Sequence, residues 1–273
     1  MAAWLAAVAD GVLRGAPPEI YRMTPASQHQ GEIERNRRSW EGKPLLREIY
    51  EGFYRLILGQ IDSGIDAPVV EIGAGIGSLK ARLPSVIATD LFVNPGVDVV
   101  CDAYELPFAS ASVGHLVLFD VFHHLAAPNA FLGEARRVLL PRGRLILFEP
   151  YISAGSLPVY GLFHHEPVAW GRAINLDTSV ARPRGYYAAQ GNATRLFFWR
   201  EVPGWPEGWR ILRAEAFSCF HYLLSGGYSR GALYPAGMLT SMRALDAALS
   251  RWPRLFGGRC LVVLQPDEAN ATR

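Results

Sequence analysis

A chain of 273 residues, half of them hydrophobic and 19% charged, can bury a full core. Lysine and arginine number 27 against 25 acidic residues, which excludes the broad basic surface that tracks a phosphate backbone, so nucleic acid is not an expected partner. Cys101, Cys219 and Cys260 stand singly in or beside apolar runs, without the paired spacing of a metal site or redox pair, and suit a reducing, cytoplasmic setting.

Read in chain order, MAAWLAAVADGVLRG has no early positive charge and is broken by Asp10, so it reads as an accessory helix, not a signal peptide. Residues 17–43, with three prolines and the polar run GEIERNRRSWEGK, read as an irregular entry segment. A helix follows near Pro44–Gln60, where Leu45, Leu46, Ile49, Tyr50, Phe53 and Leu56 recur at helical spacing. From Pro68 short apolar runs at 68–72, 85–90, 97–101, 113–119 and 143–149 alternate with connections, the pattern of a mostly parallel sheet. The link between the second and third runs is too short for a crossover helix, and a tight Asn94-Pro95-Gly96 turn is expected there. PNAFLGEARRVLL carries Phe131, Leu132, Ala135, Val138 and Leu139 on one face, between Pro128 and Pro141, and is a crossover helix. From 151 to 208 periodicity fades into an aromatic-rich insertion containing Tyr160, Phe163, Trp170, Tyr186 and Tyr187, expected to act as a lid. Two last strands, with a helix near Pro235–Trp252 between them, complete the sheet, and no run is long and apolar enough to span a membrane.

The stretch VVEIGAGIGS runs from an apolar strand into glycines and then, as read here, a helix. Glycines let backbone approach a ligand and bring helix N–H groups to it. Asp90 closes the second strand, where a carboxylate can accept hydrogen bonds from both ribose hydroxyls of an adenosine ligand, and Asp102-Ala103 follows the third, where adenine would lie. Singly, either aspartate reads equally as a turn former or helix cap. On consecutive strand ends they outline a nucleoside slot.

VVEIGAGIG, IATDL, CDAYELPF, VGHLVLFDVFHHL and RVLLPRGRLILFEP, in this order, resemble the core of class I S-adenosylmethionine-dependent methyltransferases over residues 68–150. The resemblance implies an α/β, Rossmann-like, seven-stranded sheet with a reversed last hairpin, and S-adenosylmethionine as cofactor with S-adenosylhomocysteine as product. It implies that Glu71, Gly73, Ala74 and Gly75 line the methionine and ribose, Asp90 and Leu91 flank ribose and adenine, Asp102 and Ala103 meet adenine, and Phe119 lies by the sulfonium. A nicotinamide dehydrogenase is disfavoured because its G-x-G-x-x-G does not fit: the third glycine is Gly77 and Ser78 follows. Phe119-Asp120-Val121-Phe122 also departs from the proline-aromatic signature of nucleobase and amide N-methyltransferases. The implied organisation is a helical cap and first core helix (1–60), a cofactor-binding core (61–150), a lid (151–208) and completion of the sheet (209–273) within one domain.

A sulfonium is an activated methyl donor, so the protein chiefly aligns the reactants, and an alcohol acceptor needs its proton removed. His123 is the favoured base, with His124 more suited to holding the loop by hydrogen bonding. His164 and His165, beside Glu166 in the lid, are further candidates as base, acceptor clamp or loop pin. Adjacent histidines point apart in regular backbone, so no metal is expected. Arg35, Arg37 and Arg38 form either a phosphate clamp or a solvated face, and the segment with Tyr21, Arg22 and Trp40 is expected to close over the cofactor. The expected function is methyl transfer to an oxygen of a small molecule such as a natural product, saccharide or lipid-linked acceptor. The rivals are an inactive cofactor-binding homologue that serves as an assembly or regulatory partner, and a different enzyme on the same scaffold.

Overall fold

The computed structural model describes residues 25–162, 166–177 and 187–267. The accessory helix expected at the N-terminus, Tyr21, Arg22, Phe163, His164, His165 and Tyr186 lie outside these residues.

Seven strands form one sheet in the order β3-β2-β1-β4-β5-β7-β6. They are β1 (Val69–Ile72), β2 (Ile87–Asp90), β3 (Val99–Val100), β4 (Val113–Phe119), β5 (Leu139–Pro150), β6 (Trp209–Ser218) and β7 (Gly257–Pro266). The first five pair in parallel, and β7 enters antiparallel between β5 and β6. The expected mostly parallel sheet with a reversed last hairpin is the one observed.

Strand alternation sorts the core into two layers. Leu116, Leu118, Leu145 and Leu147 face a cluster with Phe131, Leu132, Ala135 and Val138 of helix α3 (Pro128–Val138). Val117, Ile146 and Phe148 face Leu46, Ile49, Tyr50, Phe53 and Ile57 of helix α2 (Pro44–Leu58). Further helices are α4 (Leu157–Leu162), α5 (Phe220–Leu223), α6 (Leu239–Leu249) and α7 (Pro253–Phe256). Among the described residues, no helix is long and apolar enough to cross a membrane. The three cysteines are free thiols, Cys219 and Cys260 buried and Cys101 half-buried.

Two elements differ from expectation. The entry segment is a helix, α1 (Pro25–Gly42), where an irregular stretch was expected. Its Gln, Glu and Arg residues are good helix formers, and Glu34 pairs with Arg38 one turn on at 2.5 Å, but over residues 29–42 only Ile33 is a buried hydrophobic residue, so the apolar period that marks α2 is missing there. The helix expected after the glycine turn is a single 3-10 turn, Ser78–Ala81. Pro84 and the short distance to β2 leave no room for more turns.

The turn at Pro95-Gly96 forms as expected, with Val97 N–H donating to Asn94 O at 3.3 Å. It explains Gly77, whose φ of +71° is left-handed and whose Cβ, if present, would lie 2.6 Å from Gly96 O. The two glycines let the β1–β2 and β2–β3 connections touch backbone to backbone. Gly77→Ala is therefore expected to destabilise the fold by at least about 2 kcal/mol in urea unfolding. Gly133→Ala, on the open surface of α3, should instead stabilise by about 0.5–1 kcal/mol. Equal effects at the two positions would disprove the backbone contact.

Candidate active site

The C-terminal ends of the parallel strands bring the sequence-derived residues to one rim. Gly73 and Gly75 take φ of +68° and +56° in the turn after β1. A Cβ on Gly73 would lie 2.4 Å from Val121 Cγ2, which places the exit of β4 directly against the glycine turn. Asp90, buried at the end of β2, accepts the N–H of Gly75 through Oδ2 at 2.9 Å and that of Leu91 through Oδ1 at 2.7 Å. Its carboxylate thus shapes the glycine turn and retains acceptor capacity for a ligand. Asp102 Oδ1 accepts the N–H of Tyr104 at 2.9 Å, a turn contact, and the half-buried Ala103 packs beside it against the α3-side core.

Glu71 points to the α2 side of the turn and is buried, with Oε2 unpartnered. Burial and the neighbouring Asp90 charge hold its carboxyl up to about 8 from an ordinary 4.5. Phe119 stacks on Tyr50 with ring centroids 5.2 Å apart, leaving its backbone at the rim. The next residue, Asp120, takes a left-handed φ of +58° and is paired with the buried Arg259. That turn redirects the chain into the Phe122–His124 segment.

His123 is buried between two carboxylates, its Nδ1 2.6 Å from Glu149 Oε2 and its Nε2 3.2 Å from Glu166 Oε2. Burial alone would lower its pKa, but Glu149, aided by Glu166, outweighs that effect and pushes it up to about 10. Glu149 Oε1 also accepts the N–H groups of Val121 at 2.8 Å and Phe122 at 2.7 Å. His124 places Nδ1 2.9 Å from Tyr187 O and Nε2 3.4 Å from Glu166 Oε1; burial, then the charge of His123, lowers its pKa. The 151–208 insertion is held here by Glu166 and Tyr187 and by Ala189, whose N–H donates to His123 O at 3.0 Å. Described aromatic residues of the insertion hold it in place: Tyr160 donates to Gly258 O at 2.9 Å and Trp170 stacks on Trp199 at 4.6 Å.

Helix α1 covers the other half of the rim. His29 Nε2 stands 3.3 Å from Asp90 Oδ1, and Ile33 Cδ1 lies 3.8 Å from the position of a Cβ on Gly75. Trp40 packs edge-on against Tyr50 at 5.5 Å. Arg35 and Arg38 are exposed, with Arg38 paired to Glu34. Sequence reasoning overlooked Glu149, Glu166 as a partner of His123, and His29. Glu149 had a signal, a charge closing the otherwise apolar run LILFEP; the other two come from segments without periodicity.

The family model for a methyltransferase domain matches residues 70–147, from β1 through most of β5. A methyltransferase domain thus matches residues 70–147 of the chain. No curated protein is a significant sequence match to it. Among solved structures, the chain is similar to the Burkholderia thailandensis 1,6-didemethyltoxoflavin-N1-methyltransferase, whose structure holds 1,6-didemethyltoxoflavin and S-adenosylhomocysteine. That match has 15% identity over 93% of this chain and 92% of that one, at a TM-score of 0.47. It is also similar to the Streptomyces coelicolor A3(2) geranyl diphosphate C-methyltransferase, solved with Mg2+, geranyl diphosphate and S-adenosylhomocysteine. Here identity is 12% over 80% of this chain and 79% of that one, at a TM-score of 0.43. The residues of the rim fit S-adenosylmethionine: Gly75 leaves room for close approach, Asp90 has acceptor capacity, and the orphaned Glu71 oxygen suits an ammonium donor.

The raised Glu71 value carries a sign. A folded pKa above the unfolded one contributes stability that is complete below about pH 4.5 and lost as pH rises through about 8. In urea unfolding from about pH 5 to about pH 8, the ligand-free parent should lose stability relative to Glu71→Gln. Parallel curves would show that Glu71 has no raised value.

Proposed function

We propose that this methyltransferase acts on a hydroxyl of a small molecule that enters between the end of β4 and the 151–208 insertion. The observation that carries the reading is the cluster of His123, His124 and Glu166, with Glu149 behind it, next to the β4 turn that touches the glycine loop. Neutral nitrogen nucleophiles bring their own lone pair. A hydroxyl has a proton to lose, and a buried group of imidazoles and carboxylates is what such an acceptor requires. Two glutamates around one imidazolium leave the cluster net negative, which disfavours a carboxylate or phosphate of the acceptor beside it and favours an uncharged alcohol or phenol. The exposed arginines of α1 therefore have no part in this reading.

When bound, S-adenosylmethionine supplies a methyl group already activated on a sulfonium. Glu71, Gly73, Ala74 and Gly75 hold its methionine and ribose side, Asp90 and Leu91 its ribose and adenine, and Asp102 and Ala103 its adenine, with the Phe119 backbone by the sulfonium. His123, with both ring nitrogens engaged, is a positioning residue that fixes Glu166 and the β4 turn. Glu166 and His124 face the acceptor and handle its proton. The lid excludes water from the reacting atoms.

Asp90→Ala should weaken S-adenosylmethionine binding by at least about 1 kcal/mol in calorimetry, through lost ribose hydrogen bonds. An unchanged affinity would remove Asp90 from the cofactor site. His124→Ala and Glu166→Gln should each lower turnover on the order of a hundredfold while cofactor affinity is preserved. The assay is labelled-methyl transfer to a panel of alcohols, phenols and amines. Transfer to amines alone, at a rate that ignores both substitutions, would overturn the reading.

A further inference from the structure

His123, His124 and Glu166 have a second property that proton transfer does not require: their donor atoms converge. No two of the three ligand atoms lie more than 4.8 Å apart. His123 Nε2 is 3.2 Å from Glu166 Oε2, and His124 Nε2 is 3.4 Å from Glu166 Oε1. Nitrogen and oxygen ligands at about 2.0–2.2 Å from one cation sit about 2.9–3.5 Å from each other.

The outer partners of the two rings set which nitrogen points inward. His123 Nδ1 faces Glu149 Oε2 at 2.6 Å, and His124 Nδ1 faces the carbonyl of Tyr187 at 2.9 Å. Both partners accept, so each ring places an N–H on Nδ1 and directs Nε2 inward. Two such nitrogens and a carboxylate converge on one point, which the proton of His123 holds in the absence of a cation, while Gln190 donates to Glu166 Oε2 from the side at 3.0 Å. A divalent cation takes the place of that proton and binds all three ligands at once. An imidazole whose remote N–H is held by a carboxylate or a backbone carbonyl is also the arrangement that orients metal-binding histidines. The other grouping around His123, with Asp120 and Glu149, is already compensated, because Arg259 pairs with Asp120 and backbone N–H groups occupy Glu149.

We propose that His123 and His124 through Nε2, with Glu166, form a binding site for one divalent first-row transition cation of the zinc type. Three protein ligands leave a position open, as in catalytic sites of this donor set. The site also explains why the lid is joined to the β4 turn at this place: the carboxylate comes from the insertion and both imidazoles from the core. In the proposed function, and resting on that reading, the open position takes the hydroxyl oxygen of the acceptor and lowers its pKa, and the proton released passes to the carboxylate oxygen of Glu166 that does not bind the cation. The adjacency of the two histidines is no obstacle, because the 3-10 turn brings their rings to 4.2 Å.

The test uses the full-length chain, stripped with a chelator and dialysed to equilibrium against Zn2+, with bound metal counted by mass spectrometry. One tightly held equivalent is expected. Glu166→Gln and His124→Ala should each weaken binding at least about tenfold, and Glu149→Gln, through the outer partner of His123, by about 10- to 100-fold. His221→Gln, at a separate histidine–aspartate pair, should bind Zn2+ as the parent does. Circular dichroism identifies any variant that fails to fold, and the stoichiometry of the parent stands without the variants. Absence of Zn2+ uptake by the parent, or undiminished uptake by folded Glu166→Gln, would overturn the site and leave a proton on His123 as the occupant. Zn2+ uptake without methyl transfer to any hydroxyl would support the site and reject the proposed acceptor. Full turnover of the metal-stripped chain would reject the catalytic role of the cation.

Discussion

The buried carboxylate of Glu149 is the constraint on which the rim of the sheet depends. Placed at the end of a central strand, with no exposed surface, it has to be compensated. It meets the N–H groups of Val121 and Phe122 and the imidazole of His123, all from the segment leaving the neighbouring strand. One charge thus sets the backbone of the β4 exit and the ring orientation of its histidine. Because β4 and β5 pair in register up to Phe119 and Phe148, Glu149 arrives where the chain turns, and the left-handed Asp120 makes the turn. Arg259 of β7, itself buried beneath the rings of Tyr222, Phe148, Phe53 and Phe119, holds Asp120 from the opposite layer.

The same device appears at the end of β6. Asp246 of α6 accepts the hydroxyl of Ser218, the N–H groups of Phe220 and His221, and lies 2.5 Å from His221 Nδ1. A carboxylate that collects consecutive N–H groups and one imidazole fixes a strand-to-helix turn without a glycine or an N-cap side chain. The two instances differ in what lies beyond the ring: His123 is met again by Glu166 from the insertion, so its imidazole sits between two carboxylates.

Helix α1 plays the complementary role over the cofactor half. Ser39 donates to Tyr228 O at 2.6 Å and Lys43 to Gly227 O at 2.8 Å, which docks the end of the helix on the segment after α5. Its other end brings His29 to within 3.3 Å of Asp90, and that carboxylate raises the imidazole pKa against the opposing effect of burial. The helical form of this segment and its contact with Asp90 were not expected from the sequence.

The five parallel strands, the helices over 44–58 and 128–138, the Asn94–Gly96 turn and the two acidic strand tips were legible because each is local: apolar spacing, proline and glycine state the backbone before any packing is considered. The glycine motif also marked the rim proposed for the cofactor, since close approach to a ligand needs residues without side chains at that spot. The cluster around His123 was legible only in part. His123 and His124 announced themselves at a strand end, whereas Glu149 and Glu166 belong to segments distant in sequence whose roles depend on which side chains meet in three dimensions. Sequence determined the sheet, the glycine turn and the candidate histidines through short-range periodicity. Tertiary structure alone decided which charges share a buried site, because compensation of a desolvated carboxylate is settled by neighbours in space.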